Sequence, residues 1–130
     1  MFGSESDTTF SIAVADVDLD GDLDAFVGNR GQTNKLYLNT TPSDSQALTN
    51  SSTAGTPLGS AANKTNSGVF GDVDNDGDLD FITADTNTPI QLYLNDGAVG
   101  FTSTTAGSSI GGSNNSTASL VLGDVDNDGD

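Results

Sequence analysis

Three stretches of alternating aspartates hold most of the chemistry this chain could perform. The first runs Asp16-Val17-Asp18-Leu19-Asp20-Gly21-Asp22-Leu23-Asp24, and the second runs Asp72-Val73-Asp74-Asn75-Asp76-Gly77-Asp78-Leu79-Asp80. A third begins at Asp124, continues through Asp126 and Asp128, and reaches Asp130. Each places carboxylates at positions 1, 3 and 5 and glycine at position 6; the two complete copies add a carboxylate at position 9. In a tightly curled loop, alternate side chains turn toward one centre, and glycine permits the sharp bend. The carbonyl of position 7 then faces inward and the position-9 carboxylate closes the shell. Such a set supplies the six to eight oxygens that Ca2+ prefers, whereas Mg2+ demands a stricter octahedron and keeps its waters. Zinc and copper are disfavoured, because the chain has no His and no Cys.

Taken singly, an Asp-Gly stretch is equally compatible with a solvated turn. Its placement argues otherwise. Of the 19 acidic residues, 14 fall in the three loops. Carboxylates so crowded repel one another unless a cation lies between them.

An EF-hand shares the first nine positions but needs a bidentate Glu at position 12 and a helix on each side. Position 12 here is Val27 in one copy and Thr83 in the other. The flanks, Ser11-Ile12-Ala13-Val14 and Ala25-Phe26-Val27, then Val69-Phe70 and Phe81-Ile82-Thr83, are β-branched and aromatic runs that predict strands. The loop therefore joins two strands. A glycine-rich β-helix repeat also fails, since Gly111-Gly112-Ser113 lacks the required aspartate.

An apolar strand, Asp-x-Asp-x-Asp-Gly-Asp-Leu-Asp, a second apolar strand and then Leu-Tyr-Leu-Asn together resemble the FG-GAP/VCBS repeats. The resemblance is carried by Ala15 to Asn39 and Gly71 to Phe101, with Gly123 to Asp130 as a third start. It implies an all-β fold of β-propeller blades, as in the integrin alpha-subunit head and many bacterial secreted proteins. It also implies a calcium ion in the hairpin loop between the first two strands of each blade. Asp16, Asp18, Asp20 and Asp24 match the ligand positions of one repeat, with Asp22 contributing its carbonyl. Asp72, Asp74, Asp76 and Asp80 match in the next, with Asp78 by its carbonyl. In the third copy Asp124, Asp126, Asp128 and Asp130 match the opening positions, and the ninth position is lacking.

The spacing sets the organisation. Asp16 and Asp72 lie 56 residues apart and Asp72 and Asp124 lie 52 apart, suiting a four-stranded blade with generous loops. Residues 1–9 form a polar lead-in or the end of a previous blade, 10–66 one repeat, 67–118 a second, and 119–130 the start of a third. Propellers close with about four to eight blades, so this partial propeller is expected to be a segment of a longer protein. Completion of a ring by several copies is the alternative.

Within the first repeat, Phe10, Ile12 and Val14 alternate with Ser11 and Ala13, predicting a strand with the large residues inward. Ala25 to Gly28 and Lys35 to Asn39 follow as strands, and a weaker fourth is expected near Gln46 to Thr49. The second repeat predicts strands at Gly68 to Gly71, Phe81 to Ala84, Ile90 to Asn95 and Phe101 to Thr105. Asn95-Asp96-Gly97 marks a turn, and Ser119 to Gly123 should begin the third blade. Tyr37 and Tyr93 could stack on sugars, but their matching places in the two repeats favour a structural role. Arg30 and Lys35 near the first loop could attract an acidic ligand, but solvated surface charge is the better explanation.

Composition narrows the partners. Hydrophobic residues make up 33 per cent and the net charge is −16, so calcium should compensate for a thin core and self-repulsion. Two divalent ions would reduce the formal charge from −16 to −12. Arg30, Lys35 and Lys64 are the only cations, too few for a phosphate-binding patch, so nucleic acid is not expected as a partner. No apolar run approaches a membrane span, and Met1-Phe2-Gly3 does not open a signal peptide. The expected setting is extracellular or cell-surface, as part of a bacterial secreted protein, where calcium is plentiful. The expected function is a non-catalytic calcium-binding segment in adhesion or ligand presentation, with a protein or glycan ligand and neighbouring blades as partners. A carbohydrate-binding module, or part of a polysaccharide-processing enzyme, is the alternative. Against catalysis, the spare acids Asp85 and Asp96 both fall in predicted turns.

Overall fold

The computed structural model describes residues 7–39, 48–50, 64–97, 101–104 and 116–125. Among these the ordered elements are eight strands and no helix. They are β1 (Thr9–Ala15), β2 (Asp24–Asn29), β3 (Lys35–Asn39), β4 (Leu48–Asn50), β5 (Thr65–Gly71), β6 (Asp80–Asp85), β7 (Gln91–Leu94) and β8 (Thr102–Thr104). They form two four-stranded sheets in the orders β1-β2-β3-β4 and β5-β6-β7-β8, each a simple antiparallel meander. The third strand at Lys35–Asn39 matches its predicted limits. Most of the others differ by one to three residues at an end.

The sheets repeat each other in detail. Thr9 faces Asn29 across the first strand pair, and Thr65 faces Asp85 across its counterpart, with a register irregularity beside each. Thr9 Oγ1 donates to Asn29 Oδ1 at 2.9 Å, and Thr65 Oγ1 donates to Asp85 Oδ1 at 2.6 Å. Asn34 Nδ2 then joins the sheets by donating to Thr65 Oγ1 at 3.0 Å. Thr9, Asn29, Asn34, Thr65 and Asp85 thus satisfy one another at this end of the interface, while the buried Nε of the neighbouring Arg30 has no partner among the described residues.

Between the sheets lies the core, made of Val17, Phe26, Leu36, Phe81, Tyr93 and Phe101. Phe26 and Phe81 meet at 4.0 Å between ring centroids, and Phe70 approaches Phe81 at 4.8 Å. Gly68 permits this closeness: a Cβ there would stand 2.6 Å from Phe81 Cζ and 3.0 Å from Phe26 Cε1.

The facing of β1 corrects the sequence expectation. Phe10, Ile12 and Val14 are exposed (51, 67 and 61 per cent), while Ala13 and Ala15 pack against the core. Ser11 Oγ accepts the Gly68 N–H at 3.1 Å, so only small residues fit where β1 meets β5. Residues 116–125, which include the expected start of the third repeat, hold no strand. This segment lies against the second sheet through Leu120 N–H to Ser67 Oγ at 3.2 Å and Asn66 Nδ2 to the Thr117 carbonyl at 2.9 Å. A strand also needs a ladder partner, and none pairs with this segment among the described residues.

Candidate metal centre

Each complete Asp loop is the β1–β2 or β5–β6 hairpin connection, so antiparallel pairing brings its ends together. Ala15 pairs with Asp24, and Gly71 with Asp80. The turn uses left-handed backbone at Gly21 (φ +95°) and Gly77 (φ +96°), a region glycine enters without a Cβ penalty. Position 4 is left-handed too, at Leu19 (φ 58°) and Asn75 (φ 60°).

Backbone amides orient the carboxylates. Asp16 accepts the N–H of Asp20 on Oδ1 at 3.1 Å and that of Gly21 on Oδ2 at 3.0 Å. In the second loop Asp72 accepts the N–H groups of Asp76 and Gly77 at the same two distances, 3.1 and 3.0 Å. Asp22 N–H donates to Asp20 Oδ1, and Asp78 N–H to Asp76 Oδ1, both at 2.9 Å.

The position-9 aspartates are fully buried and gripped from two directions. Asp24 takes the Val17 N–H on Oδ2 at 2.9 Å and the Asn39 N–H on Oδ1 at 2.7 Å. Asp80 takes the Val73 N–H on Oδ2 and the Asn95 N–H on Oδ1, both at 2.9 Å. Each carboxylate oxygen can accept a second contact, so these bonds aim the group without exhausting it. The part played by Asn39 and Asn95 is absent from the sequence reading. Its only trace there is that Leu-Tyr-Leu ends on Asn in both repeats.

These contacts gather Asp16, Asp18 and Asp24 into one group and Asp72, Asp74 and Asp80 into another. In each group one carboxylate oxygen per residue lies within 4.8 Å of the others. Oxygens bound to one Ca2+ at 2.3–2.6 Å can be no more than about 5 Å apart, so both groups fit a hard cation of that size. Asp20, Asp22, Asp76 and Asp78 do not join these groups through their carboxylates. Asp124 is at the surface, and Asp126, Asp128 and Asp130 lie outside the described residues.

Crowding shows in the acid–base properties. Burial raises the pKa of Asp18, with added repulsion from Asp20 and Asp16. Burial likewise raises that of Asp24, against the N–H bonds from Asn39 and Val17, and Asp18 and Asp20 add to the rise. Asp74 moves the same way through loss of hydration and then through Asp76, Asp80 and Asp72. Its side chain is exposed, so repulsion is the stronger physical reason there. A bound cation would reverse each of these penalties.

Other candidates take ordinary places. Tyr37 and Tyr93 are 7 and 2 per cent exposed, and Tyr93 donates its hydroxyl to Gln91 Oε1 at 2.6 Å. Asp85 is buried beneath Thr65, whereas Asp96 is exposed. Arg30 follows β2, at the end of that strand remote from the loop, and lies 3.6 Å above the Phe10 ring. Lys35 pairs with Asp7 at 2.7 Å.

A family model described as FG-GAP-like repeat matches the chain twice, over residues 16–83 and 72–130. Both matches open on the first aspartate of a loop. No curated protein and no solved structure matches the chain.

Proposed function

Because the chain belongs to the FG-GAP-like repeat family and its two sheets are β-propeller blades, we propose that it is a calcium-stabilised propeller segment. The observation that carries this reading is the duplicated site. Two carboxylate triads, each within 4.8 Å, are built by the same backbone bonds in successive blades. Repeats of this family are typically structural modules. Calcium here acts structurally: it cancels repulsion in each hairpin loop and fixes the end of the blade.

The family occurs in extracellular proteins, and no helix among the described residues is long and apolar enough to cross a membrane. The proposed setting is a secreted or cell-surface protein of bacterial type, where free calcium saturates sites of modest affinity. Adhesion or presentation of a protein or glycan ligand is the proposed role. Burial removes Tyr37 and Tyr93 as sugar-stacking platforms, so a glycan partner would use other surfaces. A further blade, from a longer chain or from another copy, is the proposed partner for the exposed face of β1 around Ile12 and Val14.

Thermal unfolding in calcium and in chelator tests the proposal. One filled site at a hundredfold excess over Kd stabilises the folded state by about 2.7 kcal/mol, so calcium should raise the melting temperature by several degrees. Identical curves would contradict it. A glycan array probed with calcium-loaded protein separates sugar binding from scaffolding.

A further inference from the structure

We infer that the two Asp loops are coupled through Asn95, so that filling one loop strengthens cation uptake by the other; this rests on the calcium reading above. Asn95 follows β7, is 3 per cent exposed, and touches both loops. Its backbone N–H donates to Oδ1 of Asp80, the closing carboxylate of the second loop, at 2.9 Å. Its side-chain amide donates to the carbonyl of Val17, in the first loop, at 3.1 Å, and to the carbonyl of Leu79 at 3.3 Å. Its Oδ1 accepts the Gly97 N–H at 3.3 Å.

Val17 is the other half of the connection. Its N–H donates to Oδ2 of Asp24, the closing carboxylate of the first loop. Its side chain is buried in the core with Phe81 and Tyr93 of the second sheet. The Val17 backbone is therefore held on both sides, its N–H by the closing carboxylate of its own loop and its carbonyl by the residue that latches the next one.

With the first loop filled, Asp16, Asp18 and Asp24 are held together and the Val17 carbonyl is fixed. Asn95 then keeps its side chain oriented and its N–H on Asp80, so the second loop has less freedom to lose when it closes. Ordering shared between two sites is positive cooperativity, and linkage makes it reciprocal.

Calcium titration of the 130-residue chain, followed by NMR at the Gly21 and Gly77 amides, reads the loops separately. Four chains are compared: native, Asp16→Ala, Asn95→Ala and the double variant. Disabling the first loop by Asp16→Ala should weaken the second by about fivefold when Asn95 is present. It should leave the second unchanged when Asn95 is Ala. Equal weakening in both backgrounds, or none in either, overturns the coupling. A measurement that leaves Asn95 intact guards against loss of fold. In Asp72→Ala, filling the first loop should slow hydrogen exchange at the Asn95 backbone amide, and an unchanged rate overturns the inference. A native chain that takes up no calcium refutes both the coupling and the calcium reading, whereas uptake at two independent loops refutes the coupling alone.

Discussion

The carboxylate of Asp24 accepts the backbone N–H of Asn39 at 2.7 Å, tying the end of the first loop to the end of the third strand. Asp80 and Asn95 repeat the bond in the second blade at 2.9 Å. The position-9 aspartate is thus both a candidate ligand and a latch between strands, while the position-3 aspartate of the first loop, Asp18, bonds only within its loop among the described residues, to the Asp20 N–H at 3.3 Å.

That division separates two substitutions. Asp24→Ala leaves the buried Val17 N–H and the part-buried Asn39 N–H without this acceptor, at about 1–3 kcal/mol for the buried one. It should destabilise the chain even without calcium. Asp18→Asn removes a charge that Asp16 and Asp20 repel. It should stabilise the metal-free chain slightly and weaken the calcium-loaded one. Denaturant melts with and without calcium distinguish the four cases.

Acid should act in opposite directions on the two states. Asp18, Asp24 and Asp74 have folded pKa values above the ordinary 3.8. Between that value and the raised ones, the folded chain binds more protons than the unfolded chain. For these groups, metal-free stability therefore rises as pH falls through this window and is lost as pH rises through the folded pKa values. With calcium the ionised forms are favoured, and protons compete with the ion, so stability falls as pH falls. Melting temperatures of metal-stripped and calcium-saturated protein should converge as pH falls from neutrality toward 3.8.

Leu19 holds a left-handed backbone (φ 58°) with its side chain 59 per cent exposed, while Asn75 fills the same place in the second loop. A left-handed conformation costs an ordinary L-residue about 1–2 kcal/mol, and asparagine tolerates it better. Leu19→Asn should stabilise the chain by about 1 kcal/mol, read as a shift in denaturant midpoint at constant slope.

Gly68 lies where Phe26 and Phe81 leave no space for a methyl group. Gly68→Ala should force the rings apart and cost about 1–3 kcal/mol. Gly21 and Gly77 have open space at the Cβ position, so alanine there tests backbone conformation alone.

Local chemistry made much of this architecture legible. The Asp-x-Asp-x-Asp-Gly spacing located both hairpins, and the repeated Leu-Tyr-Leu-Asn located the third strands. What stayed hidden depended on contacts between distant segments. Alternation in β1 suggested that Phe10, Ile12 and Val14 face the core, yet close approach to β5 admits only Ser11, Ala13 and Ala15. Size misled because the interface between the sheets, rather than hydrophobicity alone, chose the face. The latches at Asn39 and Asn95 were hidden for a similar reason: a backbone N–H carries no side-chain signature. Val17, at position 2 of the loop, is buried because the second sheet covers it, a contact that the loop sequence does not encode.

A calorimetric calcium titration of the metal-stripped chain tests the central claim most directly. The account predicts about two ions per chain, one for each complete loop, with Asp16→Ala and Asp72→Ala each removing one. A chain that stays folded and binds no calcium would contradict it.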